Sequence, residues 1–159
     1  MSSVVERLLP PEYIPNTLWD NASSILQLPE ALEKVYIQMI DKHGLLDLAE
    51  HRDPDNPPVG GVDEARTNQH FAQAFDGSAA RAQLALLDPS CSLSMVSNSL
   101  IQFLGGNCIC LTDAPCGAGA STIVLLAGIA ELRSQGVLPR YPLEVNLIAA
   151  EISRYARLS

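Results

Sequence analysis

The apolar positions change period twice along the chain. From Glu30 to Lys42 they recur at three- and four-residue spacing, as Leu32, Val35, Tyr36, Met39 and Ile40. That spacing predicts one helix with a buried stripe, stopped by Gly44 just after His43. Leu45 to Glu50 reads as a further helical turn. An earlier helix is expected from about Ser24, capped by Asn21 or Ser23 and interrupted by Pro29. Met1 to Pro15 contains Pro10, Pro11 and Pro15 and reads as a short arm. Between His51 and Val62 the periodicity vanishes; three prolines and two glycines in a polar run predict a linker.

The helical period returns at Asp63, with Phe71, Ala74 and Phe75 on one face and Gly77 expected to break the run. Ser78 to Leu87 follows as a second helix, stopped by Asp88-Pro89. Ser94 to Leu104 is a third, with Met95, Leu100, Ile101 and Leu104 apolar, ended by Gly105-Gly106. The pattern then shortens. Asn107 to Thr112 is a brief apolar run that predicts a buried strand of a parallel sheet. Ala120 to Gln135 is apolar on almost every side and predicts a helix packed on that sheet. Gly136, Pro139 and Pro142 end it. Leu143 to Ala150 reads as a second strand, closing at Glu151. The expected fold is α/β: an N-terminal helical segment with its linker (1–62), a helical lead-in (63–106), and the first βαβ unit of an incomplete sheet (107–159).

Composition narrows the class. Hydrophobic residues make up 47% and charged residues 18% of the 159, which suits a packed core and excludes disorder. No apolar run is long enough to span a bilayer. The first residues lack the basic and apolar regions of a secretory signal, so a cytoplasmic protein is expected. The net charge of −8 lies in the first half: up to Asp76 there are five Lys or Arg against thirteen Asp or Glu, and after it five against five. An acidic surface repels phosphates, so this segment is a poor nucleic-acid binder. Cys91, Cys108, Cys110 and Cys116 form no C-x-x-C pair, and His43, His51 and His70 lie far from them in sequence. Reduced, mostly buried thiols are expected, with no metal.

The chemistry concentrates where the first strand meets its helix, in Asp113-Ala114-Pro115-Cys116-Gly117-Ala118-Gly119. Two glycines permit a tight turn and let a ligand approach the backbone. Amides at a helix start suit a carboxylate or phosphate. Asp113 ends one strand and Glu151 the next, where an acid can accept both hydroxyls of a ribose. A P-loop needs Gly-Lys-Ser or Gly-Lys-Thr, but Gly119-Ala120-Ser121 has no lysine. A nicotinamide site wants a small residue where Thr122 stands, and no acid directly before the turn. Cys116 has no histidine near it in sequence, so packing explains it better than nucleophilic chemistry.

This string resembles the first motif of class I S-adenosylmethionine-dependent methyltransferases, acid-x-Gly-x-Gly-x-Gly, with Pro115 where the first glycine usually stands. The resemblance covers about Asn107 to Ser159. It implies a Rossmann-like fold and S-adenosyl-L-methionine as cofactor. The turn from Asp113 through Ala114, Pro115, Cys116, Gly117 and Ala118 to Gly119 would hold the methionine part. Glu151 would bind the ribose diol and Ile152 would touch the adenine. Arg81, on the lead-in helix, is a candidate partner for the cofactor carboxylate. A complete sheet of that family has several more strands, so the chain is expected to be the front part of a longer enzyme, or to pair with another chain, or a second copy, that completes the sheet. The methyl acceptor and catalytic residues are not legible. The competing expectation is a non-catalytic helical interaction module with a vestigial nucleotide fold.

Overall fold

The computed structural model describes residues 6–52, 55, 57–59, 61, 63–151 and 153–155. The chain is mixed α/β, with about half of it helical and two small sheets. A 3-10 turn (Pro11–Tyr13) leads into a hairpin of β1 (Trp19–Asp20) and β2 (Ile25–Leu26). Then come α1 (Glu30–Lys42), α2 (Leu46–Glu50), α3 (Glu64–Leu87) and α4 (Ser94–Leu104). The chain continues with β3 (Cys108–Asp113), α5 (Ala120–Ser134) and β4 (Glu144–Ala149). β3 and β4 pair in parallel, with Cys108 opposite Glu144 and Asp113 opposite Ala149. Strand, helix and parallel strand make one βαβ unit. Among the described residues no helix is long and apolar enough to cross a membrane.

Three expected elements differ. The helix from Ser24 is instead the β1–β2 hairpin. Asp20 accepts the Ala22 amide at 2.9 Å and also the Ser23 hydroxyl, and Ser24 sits at φ 56°, a conformation no helix can carry. The long helix α3 then fastens this hairpin: buried Gln83 donates from Nε2 to the Gln27 carbonyl at 2.6 Å and to that of Leu18 at 3.4 Å.

Gly77 does not end a helix either, because α3 runs through it for 24 residues. The intrinsic penalty of a mid-helix glycine is about 1 kcal/mol. Burial of Phe75, Ala79, Leu86 and Leu87 along one continuous face exceeds it. Asp63 caps the start by accepting the Arg66 amide at 2.7 Å, and Asp88, at φ 44°, ends the helix in the left-handed region.

The strands are also less covered than expected. Of β3 only Ile109 is fully buried, and every residue of β4 is exposed, since α5 covers one face of a two-stranded sheet. Cys108 and Cys110 therefore lie exposed on the face opposite Ile109. Cys91 is exposed in the turn after α3, and Cys116 is half-buried. All four thiols are free, but they are not the buried set that composition suggested.

Two cores matter for the site. One joins Leu9, Ile14 and Leu18 of the arm to Leu86, Leu87, Ile101, Leu104, Ile109, Ile129 and Leu132. The other joins Leu32 of α1, Phe75 and Ala79 of α3, and Ala120 and Val124 of α5. This second core seats the helical segments directly against the first turn of α5. The α3–α5 approach is close: a Cβ on Gly128 would lie 3.1 Å from Leu86.

Candidate functional site

Parallel pairing brings the tips of β3 and β4 together. The ladder continues past the strands, with the Ala150 amide donating to the Asp113 carbonyl at 2.9 Å and the Cys116 amide to the Ala150 carbonyl at 3.0 Å. The turn thus folds back over the end of β4. The Gly119 amide closes it by donating to the Cys116 carbonyl at 2.7 Å. Gly117 and Gly119 have φ of 52° and 70°, the left-handed region where glycine is favoured. A Cβ on Gly117 would meet nothing within 4 Å, so the space beside this backbone is open.

Two carboxylates flank the turn. Asp113 accepts the Thr122 hydroxyl at 2.6 Å. Glu151 accepts the Gly117 amide at 2.7 Å through Oε2 and the Ser153 amide at 2.8 Å through Oε1. Its side chain is thereby held across the mouth of the turn. Both acids line a cleft of about 470 Å³, with Leu147 and Ala149 of β4 on its wall. A smaller pocket of about 210 Å³ adjoins the cleft at the turn. It shares Asp113, Cys116, Gly117 and Ala118 with the cleft and adds Pro115, Ala120 and Ser121, and His70 and Ser78 of α3. No side chain caps the first turn of α5, so its amides carry the partial positive charge of a helix N-terminus into this region.

The structure brings together Asp113, Cys116, Gly117, Ala118, Gly119 and Glu151 in the cleft, and Pro115 in the pocket beside it. Ala114 is exposed and lines neither. Arg81 is exposed and lines neither, but its guanidinium donates to the Ser78 hydroxyl at 3.2 Å, beside the smaller pocket. Ile152 lies outside the described residues. Sequence reasoning did not name Thr122, His70 or Ser78 as site residues, and gave Ser121, at the end of the glycine string, no role. Thr122 was readable as a hydroxyl within the first helical turn after the motif. His70 and Ser78 carried no local signal, since only the packing of α3 on α5 brings them to the turn. Among the described residues no three His, Cys, Asp or Glu side chains are grouped to hold a metal ion.

A third cavity of about 240 Å³ adjoins the same turn, reached at Ala118 and Ile123 and walled mainly by α1 and α3. Its aromatic wall is a mutual cluster: the Tyr36 and Phe75 rings stack with centroids 5.1 Å apart, and Phe71 lies 5.5 Å from Tyr36 and 5.3 Å from Phe75. The Tyr36 hydroxyl donates to the Ala72 carbonyl at 2.9 Å. Burial pushes this hydroxyl's pKa above its usual 10.0, helped by the charge of Asp76 and opposed by that of Arg52, so it stays protonated and donating through neutral pH.

Compared with known protein families, with curated proteins and with solved structures, the chain finds no match. The functional reading therefore rests on the geometry of the turn and its two acids.

Proposed function

We propose that the turn between β3 and α5 binds S-adenosyl-L-methionine, and that β3–α5–β4 is the first βαβ unit of a Rossmann-like class I methyltransferase sheet. One observation carries this reading. Two carboxylates at neighbouring strand tips face a glycine turn whose backbone is open on one side. Two acids in one cleft disfavour a phosphate and favour a cationic ligand; a sulfonium nucleoside with an amino-acid tail has both a sulfonium and an ammonium.

In this reading Gly117 and Gly119 let the methionine part lie against bare backbone. Asp113, fixed by Thr122, accepts from the ammonium. The uncapped first turn of α5, with Ser121, faces the methionine carboxylate, and Arg81 stands behind Ser78 at the edge of that pocket. Glu151 accepts from the ribose hydroxyls. The bound cofactor supplies an electrophilic methyl group. The chain's own residues orient it.

Isothermal titration with S-adenosyl-L-methionine tests the reading. Binding should weaken by about 1–3 kcal/mol in Glu151→Ala, the scale of hydrogen bonds to a charged group. It should vanish in Gly117→Arg, whose side chain enters the open space. Melting curves for both variants separate lost binding from lost folding. Glu151→Ala that folds and binds like the parent would remove the ribose assignment.

A non-catalytic interaction module is the second reading, and the bare β4 supports it: Val145, Leu147 and Ile148 are all exposed on an edge strand. A folded chain that gives no heat with the cofactor would favour it.

A further inference from the structure

The cavity beneath α1 lies next to the proposed donor site without belonging to it. It shares Ala118 and Ile123 with the cleft, and Phe71, Phe75 and Ala118 with the smaller pocket, so all three spaces meet at Ala118. Their linings differ in kind. The cleft carries two carboxylates, whereas the cavity is walled by Leu32, Tyr36, Phe71 and Phe75. Its polar groups are few: the Asn68 side chain and His43 at the C-terminal end of α1.

We propose that this cavity is a binding site for a small, planar, apolar molecule of one or two rings that carries a single hydroxyl or amine. Size sets the class. A dry cavity of about 150 Å³ takes one benzene ring, so about 240 Å³ holds a substituted ring or a fused pair. The clustered rings of Tyr36, Phe71 and Phe75 offer edges and faces to a planar guest. The bond from Tyr36 to the Ala72 carbonyl turns that hydroxyl onto α3 and keeps the wall rigid. Asn68 can bond the guest's one polar group, which fits the usual pattern of an apolar pocket with a few orienting donors. Val35 on α1 is 55% exposed and lines the mouth, so a guest enters without opening the core. Ala118 and Ile123 line both this cavity and the cleft, so the guest would lie beside the glycine turn.

The test uses 2-naphthol as probe on the full chain, followed by ligand-observed NMR and calorimetry, with and without S-adenosyl-L-methionine. Val35→Trp fills the mouth from an exposed helix position and leaves the core intact. The expected result is 2-naphthol binding that Val35→Trp weakens by about tenfold or more, while affinity for S-adenosyl-L-methionine is unchanged. Asn68→Leu should weaken 2-naphthol but not naphthalene. No binding of 2-naphthol to the folded chain, or binding indifferent to Val35→Trp, overturns the site whatever the cofactor does. Binding of 2-naphthol by a chain that ignores S-adenosyl-L-methionine supports the cavity as a ligand site and counts against the donor reading alone.

Discussion

Arg7 shows how much one residue can organise. Its guanidinium meets the Asp88 carboxylate at 2.9 Å, the Asp88 carbonyl at 2.6 Å and the Leu87 carbonyl at 2.9 Å, and both side chains are nearly or wholly buried. Asp88 also accepts the Ser92 and Leu93 amides at 2.8 and 3.0 Å. Removing one partner of such a pair strands the other charge in the interior. Asp88→Ala should therefore lower unfolding free energy by about 3–5 kcal/mol in urea titration. A loss under 1 kcal/mol would mean the arm does not hold its place in solution. Glu131 offers a gentler probe. The Thr17 hydroxyl donates to it at 2.8 Å and Gln135 at 3.0 Å, and together they hold its carboxyl below the usual 4.5. A lowered carboxylate contributes stability above the unfolded value, and that contribution fades as pH falls through the folded one. The Thr17 tie should thus be intact above pH 4.5 and weaken below it. In Thr17→Val the Glu131 resonance should titrate closer to 4.5; an unmoved titration would show that the arm–α5 bond is not formed.

At the scale of elements, α3 is the member on which the others depend. It carries the hairpin through Gln83, the arm through Asp88, and the rings of the apolar cavity through Phe71 and Phe75. Its continuity has a direct test. A Cβ on Gly77 would have its nearest neighbour, an Arg81 nitrogen, at 3.9 Å. Gly77→Ala should then stabilise the protein by about 0.5–1 kcal/mol, the helix-propensity difference. A destabilised variant would mean that Gly77 is a break after all. Arg133 joins elements in another way. Buried near the end of α5, it donates to the carbonyls of Gly105, Gly106 and Tyr141 and so ties α5 to the end of α4 and to the lead into β4. A cation there also complements the helix C-terminus.

For the whole molecule, burial is uneven. The α3–α5 interface and the arm core are closed, whereas β4 is exposed along its length. Hydrogen exchange should follow that gradient, with amides around Leu86, Leu132 and Val124 slowest and those of β4 markedly faster. Protection of β4 equal to that of α5 would mean that another strand covers it in solution. Ligand binding should act on the same scale. Saturation at about a hundred times the dissociation constant adds about 2.7 kcal/mol to a folded protein, so S-adenosyl-L-methionine should raise the melting temperature of the parent and not of Gly117→Arg.

Local pattern alone determined α1, α2, α4, α5 and both parallel strands, because their apolar period, caps and breakers lie within a few residues of one another. It also marked the turn, because glycines between a strand and a helix allow the left-handed conformations that a tight turn there requires. Tertiary contact decided the rest. Ser24 became part of a hairpin because Asp20 and Gln83 satisfy that backbone, and α3 passed Gly77 because a continuous apolar face outweighs one weak helix former. Cys108 and Cys110 came to the surface because the sheet has one covered face. His70, Ser78 and the aromatic cavity joined the turn only through the packing of α3 and α1 on α5, a relation between residues some forty to ninety positions apart that no short window of sequence contains.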